Sequence, residues 1–127
     1  MKTDRDPKKW LRKKARGGYR GFPMASIAYY GPDNTRATKV AVGVVATKGA
    51  EAEMRRWIVE DVDIRSDTKV LEEIIAFLKE HRVLSVAVTD GLLGCPHEEG
   101  IDYPEGEWCP QCPYWRGRDR FTGEMIQ

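Results

Sequence analysis

The residues with the clearest capacity for chemistry lie between positions 94 and 115. The chain reads Gly94-Cys95-Pro96-His97-Glu98-Glu99 and later Cys109-Pro110-Gln111-Cys112-Pro113-Tyr114-Trp115. All three cysteines and one of the two histidines fall in this stretch, spaced C-x-H, eleven residues, then C-x-x-C. Three thiolates and an imidazole make a Cys3His tetrahedron, the ligand set zinc takes in closed structural sites. C-x-x-C lets two sulfurs of one tight turn reach one ion, and Pro110 and Pro113 stiffen such a turn. A regular strand around Cys95 and His97 would place both on one face, as the second ligand pair. Cys95, His97, Cys109 and Cys112 are therefore the predicted ligands of a structural zinc, with no position left for water.

Two other uses of the sulfurs stand beside this one. Cys109 and Cys112 could form a redox dithiol, but Pro113 prevents a helix continuing directly after Cys112, and such a helix normally lowers the thiol pKa. A disulfide would leave one cysteine over, and nothing in the chain suggests export. The N-terminus lacks the apolar stretch of a secretory signal, so the expected setting is the reducing cytoplasm, where metal is favoured over disulfide. No apolar run approaches the roughly 20 residues of a membrane span. At 127 residues, with 32% charged and 41% hydrophobic residues, the chain suits one globular domain.

The net charge of +1 hides an asymmetry. Residues 1–20 hold nine Lys or Arg against Asp4 and Asp6, a local +7, so the remainder sums to −6. A basic arm on an acidic body is the footprint of a protein that approaches a polyanion. Lys8, Lys9, Trp10, Arg12, Lys13, Lys14 and Arg16 are the predicted nucleic-acid contacts, with Trp10, Leu11 and Tyr19 able to stack on bases. The alternatives are a disordered leader, a segment folded back on the acidic body, or contact with an anionic membrane surface. Residues 1–21 read as a disordered arm hinged at Gly17, Gly18 and Gly21.

The elements that must position the sulfurs follow from periodicity. Residues 25–30, 39–47 and 54–61 read as strands separated by Gly31-Pro32-Asp33-Asn34 and Lys48-Gly49-Ala50, an antiparallel meander. Val40, Val42 and Val44 line one face of the second strand; Ala41, Gly43 and Val45 line the other. Ser66 or Asp67 caps a helix whose Val70, Leu71, Ile74, Ile75 and Leu78 form one stripe. Residues 84–89 make a fourth strand ending at Asp90-Gly91, and a helix between strands of one sheet implies a parallel crossover. The expected fold is α/β (α+β): three antiparallel strands, one helix, a parallel fourth strand and a zinc-stabilised C-terminal loop region. One domain is expected over 22–115, its zinc segment at 92–115, with a flexible tail over 116–127.

The order of three antiparallel strands, helix and fourth strand, with Leu78-Lys79-Glu80-His81 leading into a strand that closes on Thr89-Asp90, resembles the first half of the ribonuclease H-like fold. That resemblance covers residues 66–90 and implies Asp90 and Asp67 as catalytic metal-binding carboxylates, with Asp33 as a third. Such a cluster would hold two divalent ions that clamp the attacking and leaving oxygens. The first strand, Ile27-Ala28-Tyr29-Tyr30, lacks the acid this family carries there. The later helix and strand of the fold are replaced by the zinc segment. The Cys3His segment also resembles a zinc-knuckle-like stretch of small uncharacterised bacterial proteins, which implies no function.

There is no Ser/His/Asp arrangement and no phosphate-binding glycine loop with its lysine, which excludes classical nucleophilic and P-loop chemistry. The reading with most support is a small zinc-binding, non-catalytic module associated with nucleic acid or the ribosome, with RNA or the ribosome as the partner of the basic arm. A divalent-metal nuclease of ribonuclease H-like type and a protein-interaction domain are the alternatives. Tyr103, Trp108, Tyr114 and Trp115 are expected to pack over the metal site, or, where exposed, to offer bases a platform beside Arg116, Arg118 and Arg120.

Overall fold

The structure is a computed structural model. It describes residues 7–33, 35–60 and 62–117, with Pro7 and Asp90 described by backbone alone. The elements are α1 (Pro7–Arg16), β1 (Met24–Tyr30), β2 (Lys39–Val45), β3 (Glu53–Ile58), α2 (Thr68–Glu80) and β4 (Ser85–Leu92). Short 3-10 turns occupy Ile64–Ser66 and Pro113–Trp115. The four strands form one sheet in the order β3-β2-β1-β4. β1 pairs antiparallel with β2 and β2 with β3, whereas β4 lies parallel to β1. The mixed α/β architecture expected from the periodicity is the one observed. No helix among the described residues is long and apolar enough to cross a membrane.

Strand alternation sorts β2 into two faces. Val40, Val42 and Val44 pair with Tyr29, Ile27 and Ala25 of β1 and with Trp57, Arg55 and Glu53 of β3. Against this face α2 lays Val70, Leu71, Ile74, Ile75, Phe77 and Leu78, all buried. Ile27, Val40, Val42 and Ile74 are fully hidden, each contributing about 1.5–3 kcal/mol by leaving water. Phe77 meets Trp57 edge-on at 6.3 Å, and the Trp57 indole N–H donates to Glu73 at 2.9 Å. Asp67 caps α2, its Oδ1 accepting from the Val70 amide at 3.1 Å.

The other face of the sheet carries small residues, Ser26, Ala28, Ala41 and Gly43. Met54 lies across Gly43, where an added Cβ would stand 2.7 Å from its sulfur. At the Tyr30–Lys39 end this face is covered by the chain that follows β4.

Four expectations need correction. The disordered arm over 1–21 contains α1, which packs on β4 and α2. Its apolar strip is narrow, Trp10 and Leu11 followed by Ala15, and six cations mask it in composition. Leu11 is buried and Trp10 packs against the core between the ammonium groups of Lys14 and Lys79, at 5.9 and 5.2 Å. Gly18 then adopts φ +69° and ends the helix.

Asp90-Gly91, read as a strand end, is a bulge inside β4. Ile27 pairs with Val88, but Tyr29 pairs with Leu92, and Gly91 takes φ +65° to absorb the excess. β3 stops at Ile58 instead of reaching 61, and β2 at Val45 instead of 47. Pro113 does not forbid a helical turn after Cys112; it opens a 3-10 turn, because the first position needs no N–H. The tail expected over 116–127, with Arg118 and Arg120, lies outside the described residues beyond Gly117.

Ahead of α2, Asp63 accepts from the Arg65 amide at 3.0 Å and from its guanidinium at 2.9 and 2.6 Å. The Arg65 side-chain bonds hold the Asp63 carboxyl at about 2, below the ordinary 3.8. A carboxyl held low when folded stabilises the fold above its unfolded pKa and loses that contribution as pH falls through its folded pKa. Wild type and Asp63→Asn should therefore differ in urea midpoint by a constant amount from about pH 7 to about pH 4, the difference shrinking toward about pH 2. A difference that stayed constant from about pH 4 down to about pH 2 would assign the effect to packing instead of charge.

Candidate metal centre

After Leu92 the chain leaves the sheet, and the described residues through Gly117 form no further long element. Its first hold is the end of β1: Leu93 N–H donates to the Tyr29 carbonyl at 2.8 Å, and Gly31 N–H to the Gly94 carbonyl at 2.9 Å. The last hold is Trp115, whose buried indole N–H donates to the Gly31 carbonyl at 2.7 Å. Gly31 is thus clamped from both ends of the segment. A Cβ there would lie 1.8 Å from the Arg36 carbonyl oxygen, so no other residue fits without moving backbone.

Between these holds the four predicted ligands converge. The ligand atoms of Cys95, His97, Cys109 and Cys112 lie within 4.8 Å of one another, close enough to bind a metal ion. His97 Nδ1 stands 3.2 Å from Cys95 Sγ, 3.4 Å from Cys109 Sγ and 3.5 Å from Cys112 Sγ. The three sulfurs are buried and the imidazole half-buried. Cys95 and His97 are not on a strand, as their spacing suggested. They form a knuckle in which the His97 amide donates to Cys95 Sγ at 3.2 Å. Cys109 and Cys112 close the opposite turn, the Cys112 amide facing the Cys109 carbonyl at 3.4 Å.

All three cysteines are unbridged. Burial pushes the Cys95 and Cys112 thiols up; Cys112 and Cys109 add to the rise at Cys95, whereas at Cys112 the contact with Cys95 opposes it. Redox dithiols require the reverse, a lowered pKa and exposure, so the redox alternative loses its physical basis. A dication at the centre inverts the preference, because a coordinating thiol is deprotonated outright.

The acids flanking the ligands act as backbone braces. Asp102 Oδ2 accepts from the Glu98 amide at 2.7 Å, and Glu99 Oε2 accepts from the Gly106 amide at 2.6 Å. Glu98 reaches across to the sheet, accepting from Lys39 Nζ at 3.0 Å and forming an ion pair with Arg56, whose Nε lies 3.1 Å away. Lys39 is only 5% exposed; it also donates to the Pro96 carbonyl at 3.0 Å and sits over the Tyr30 ring at 5.4 Å. This buried lysine ties the knuckle to β2, and the sequence carried no signal for it, since a lysine opening a strand ordinarily faces water. Tyr103 and Trp115 are buried around the site and Tyr114 partly so, as expected, whereas Trp108 is 48% exposed.

Two of the carboxylates implied by the ribonuclease H-like resemblance have local structural partners. Asp67 is committed to capping α2, and Asp33 accepts from the Thr35 amide and hydroxyl at 2.8 and 2.6 Å in an exposed turn. The Asp90 side chain lies outside the described residues. Among the described residues the Cys3His group is the one cluster of three or more metal-ligating side chains.

Of the predicted nucleic-acid contacts, Lys8, Lys9, Arg12, Lys13 and Arg16 face solvent from α1, whereas Trp10 and Lys14 are half-buried. Tyr19 is 68% exposed and meets Phe22 edge-on.

Gly31→Ala tests how far the centre depends on the sheet. The forced separation from the Arg36 carbonyl should cost about 1–3 kcal/mol and loosen the Trp115 bond, lowering metal affinity in chelator competition. Unchanged affinity would show that the ligands are organised without the sheet. No protein-family model, no curated protein and no solved structure matches this chain, so its chemistry has to be argued from its own side chains.

Proposed function

We propose that this protein is a zinc-stapled nucleic-acid-binding module that holds a phosphate backbone, of RNA or of RNA within a ribosome, on the outer face of α1. The observation that carries the reading is the layout of that helix. Lys8, Lys9, Arg12, Lys13 and Arg16 form one exposed stripe, and residues 7–16 contain no acid. Lys8/Arg12, Lys9/Lys13 and Arg12/Arg16 are like charges at i,i+4, each pair costing about 0.2–0.5 kcal/mol. Lys8 and Lys9 also sit at the helix N-terminus, where the macrodipole disfavours cations by about 0.3–1 kcal/mol. The isolated helix is electrostatically strained, and the docking of Leu11 and Trp10 holds it in place. A polyanion along the stripe relieves both costs and gains entropy from released counterions.

Zinc is supported by the donor set and the distances. Zn–S of about 2.3 Å and Zn–N of about 2.0 Å in a tetrahedron imply a sulfur–nitrogen edge of about 3.5 Å, against the observed 3.2, 3.4 and 3.5 Å. Four protein ligands, three of them buried, suit a staple and leave no open position for chemistry. A nuclease role has no comparable support, since Asp67 and Asp33 are committed to a cap and a turn.

Native mass spectrometry should find one zinc per chain. Its removal by a strong chelator should release residues 93–115, read as a lower melting temperature and lost amide protection there. Cys109→Ser should weaken zinc binding sharply, and a metal-free protein with an unchanged melt would remove the staple.

Anisotropy with a single-stranded RNA oligonucleotide tests the helix. Affinity should fall linearly with log salt concentration, with a slope of about −0.7 per phosphate contact. Reversing Lys9, Lys13 and Arg16 together to Glu should abolish most of the binding and flatten the slope. Binding indifferent to salt or to these reversals would overturn the proposal.

A further inference from the structure

We infer that the groove between α1 and the carboxyl ends of β1 and β4 is a subsite for one nucleotide unit, a phosphate with the flat ring it carries. The inference rests on the nucleic-acid reading and specifies what one part of that surface recognises.

Position is the first argument. β1 and β4 are the parallel pair of the sheet, and open α/β sheets take their ligands in the crevice beyond the carboxyl ends of parallel strands. Tyr29 near the end of β1, Leu71 in the first turn of α2 and Val88 at the middle of β4, just ahead of its bulge, line this groove, which opens over the parallel pair toward its carboxyl ends. α1 supplies the opposite wall through Lys8, Leu11 and Arg12. The volume is about 360 Å³, at the lower end of the range for small-molecule sites, which suits one nucleotide and not a duplex.

Chemistry is the second. Three cations line the groove, Lys8 and Arg12 from the helix and Arg65 from the turn before α2, and among the described residues no acid is in its lining. Arg65 gives Nε and Nη2 to Asp63 at 2.9 and 2.6 Å. That fork fixes the guanidinium plane at the groove's rim. Burial raises the Tyr29 phenol above its usual value, so its hydroxyl stays a donor beside Arg65.

The floor is apolar, and it is open where the fold would ordinarily close it. Val88 lies on the same sheet face as Val86 and Ile27, which are 4% and 0% exposed, yet Val88 is 38% exposed. A cationic rim over an uncovered apolar floor fits a ligand with a phosphate at one end and a ring at the other. Inorganic phosphate alone would leave the floor wet.

The test uses the full, metal-loaded chain and follows the methyl resonances of Leu11, Leu71 and Val88 by NMR. Adenosine 5′-monophosphate should shift all three saturably, and inorganic phosphate or adenosine should bind at least about tenfold more weakly, since each makes half of the contacts. Arg12→Gln, an exposed helix position, should weaken the mononucleotide about fivefold or more. Val88→Phe fills the floor without removing a charge and should abolish the shifts at Leu11 and Leu71.

A 5′-phosphorylated oligonucleotide that displaces the mononucleotide, where the unphosphorylated one does not, would identify the terminal nucleotide of a strand as the source. Displacement by neither would identify the free nucleotide. Absent methyl shifts, equal binding of phosphate and mononucleotide, or full binding by Val88→Phe would each overturn the inference. The two readings fail separately: reversal of Lys9, Lys13 and Arg16 removes strand binding and leaves the mononucleotide, whereas Val88→Phe does the opposite.

Discussion

The convergence of three thiols on one imidazole nitrogen is the constraint on which the C-terminal quarter of the molecule depends. Among the described residues past Leu92 there is only a short 3-10 turn and one isolated bridge between Glu99 and Tyr103. Such a segment satisfies few backbone groups by itself and cannot offset the entropy of being ordered. An ion bound by the four side chains would supply the missing free energy, because where no site exists in the unfolded chain, binding free energy is folding free energy. The braces from Asp102, Glu99 and Glu98 then shape the loops between ligands, and Lys39 carries the arrangement into the sheet.

Gly31 joins the two halves of this construction. Its carbonyl receives the Trp115 indole and its amide reaches Gly94, so both ends of the ligand segment close on one peptide at the end of β1. The same end of β1, on the opposite face of the sheet, presents Tyr29 to the groove under α1. The metal segment and the basic helix therefore share β1 as a common wall while occupying different sides of the sheet. The small side chains of Ala28, Ala41 and Gly43 leave the second face flat enough for Met54 and the knuckle to lie on it.

α1 shows how a segment can be unfavourable alone and ordered in context. Its like charges and its cations at the wrong end oppose the helix, and ten residues are too few for helix formation in water. Burial of Leu11 and the packing of Trp10 under two ammonium groups outweigh those terms. The outward stripe is then a rigid row of cations, a better match for regularly spaced phosphates than a flexible arm of equal charge, because its ordering has already occurred.

The ligand set, the meander, the α2 stripe and the parallel fourth strand were legible in the sequence, because each rests on local spacing: C-x-H with C-x-x-C, alternation along β2, and 3.6-residue recurrence in α2. What the sequence could not decide was where long-range partners would meet. Lys39 reads as a surface lysine until Pro96 and Glu98, some sixty residues later, close over it. Asp90-Gly91 reads as a stop until Leu92 finds Tyr29 and turns the stop into a bulge. Leu11 reads as a lone apolar residue in a charged arm until β4 and α2 offer it a surface. Local spacing determined which residues could bind metal and which could form strands and α2. The docking of α1, the burial of Lys39 and the open floor at Val88 were decided by tertiary structure, since each depends on surfaces that exist only once the sheet has assembled.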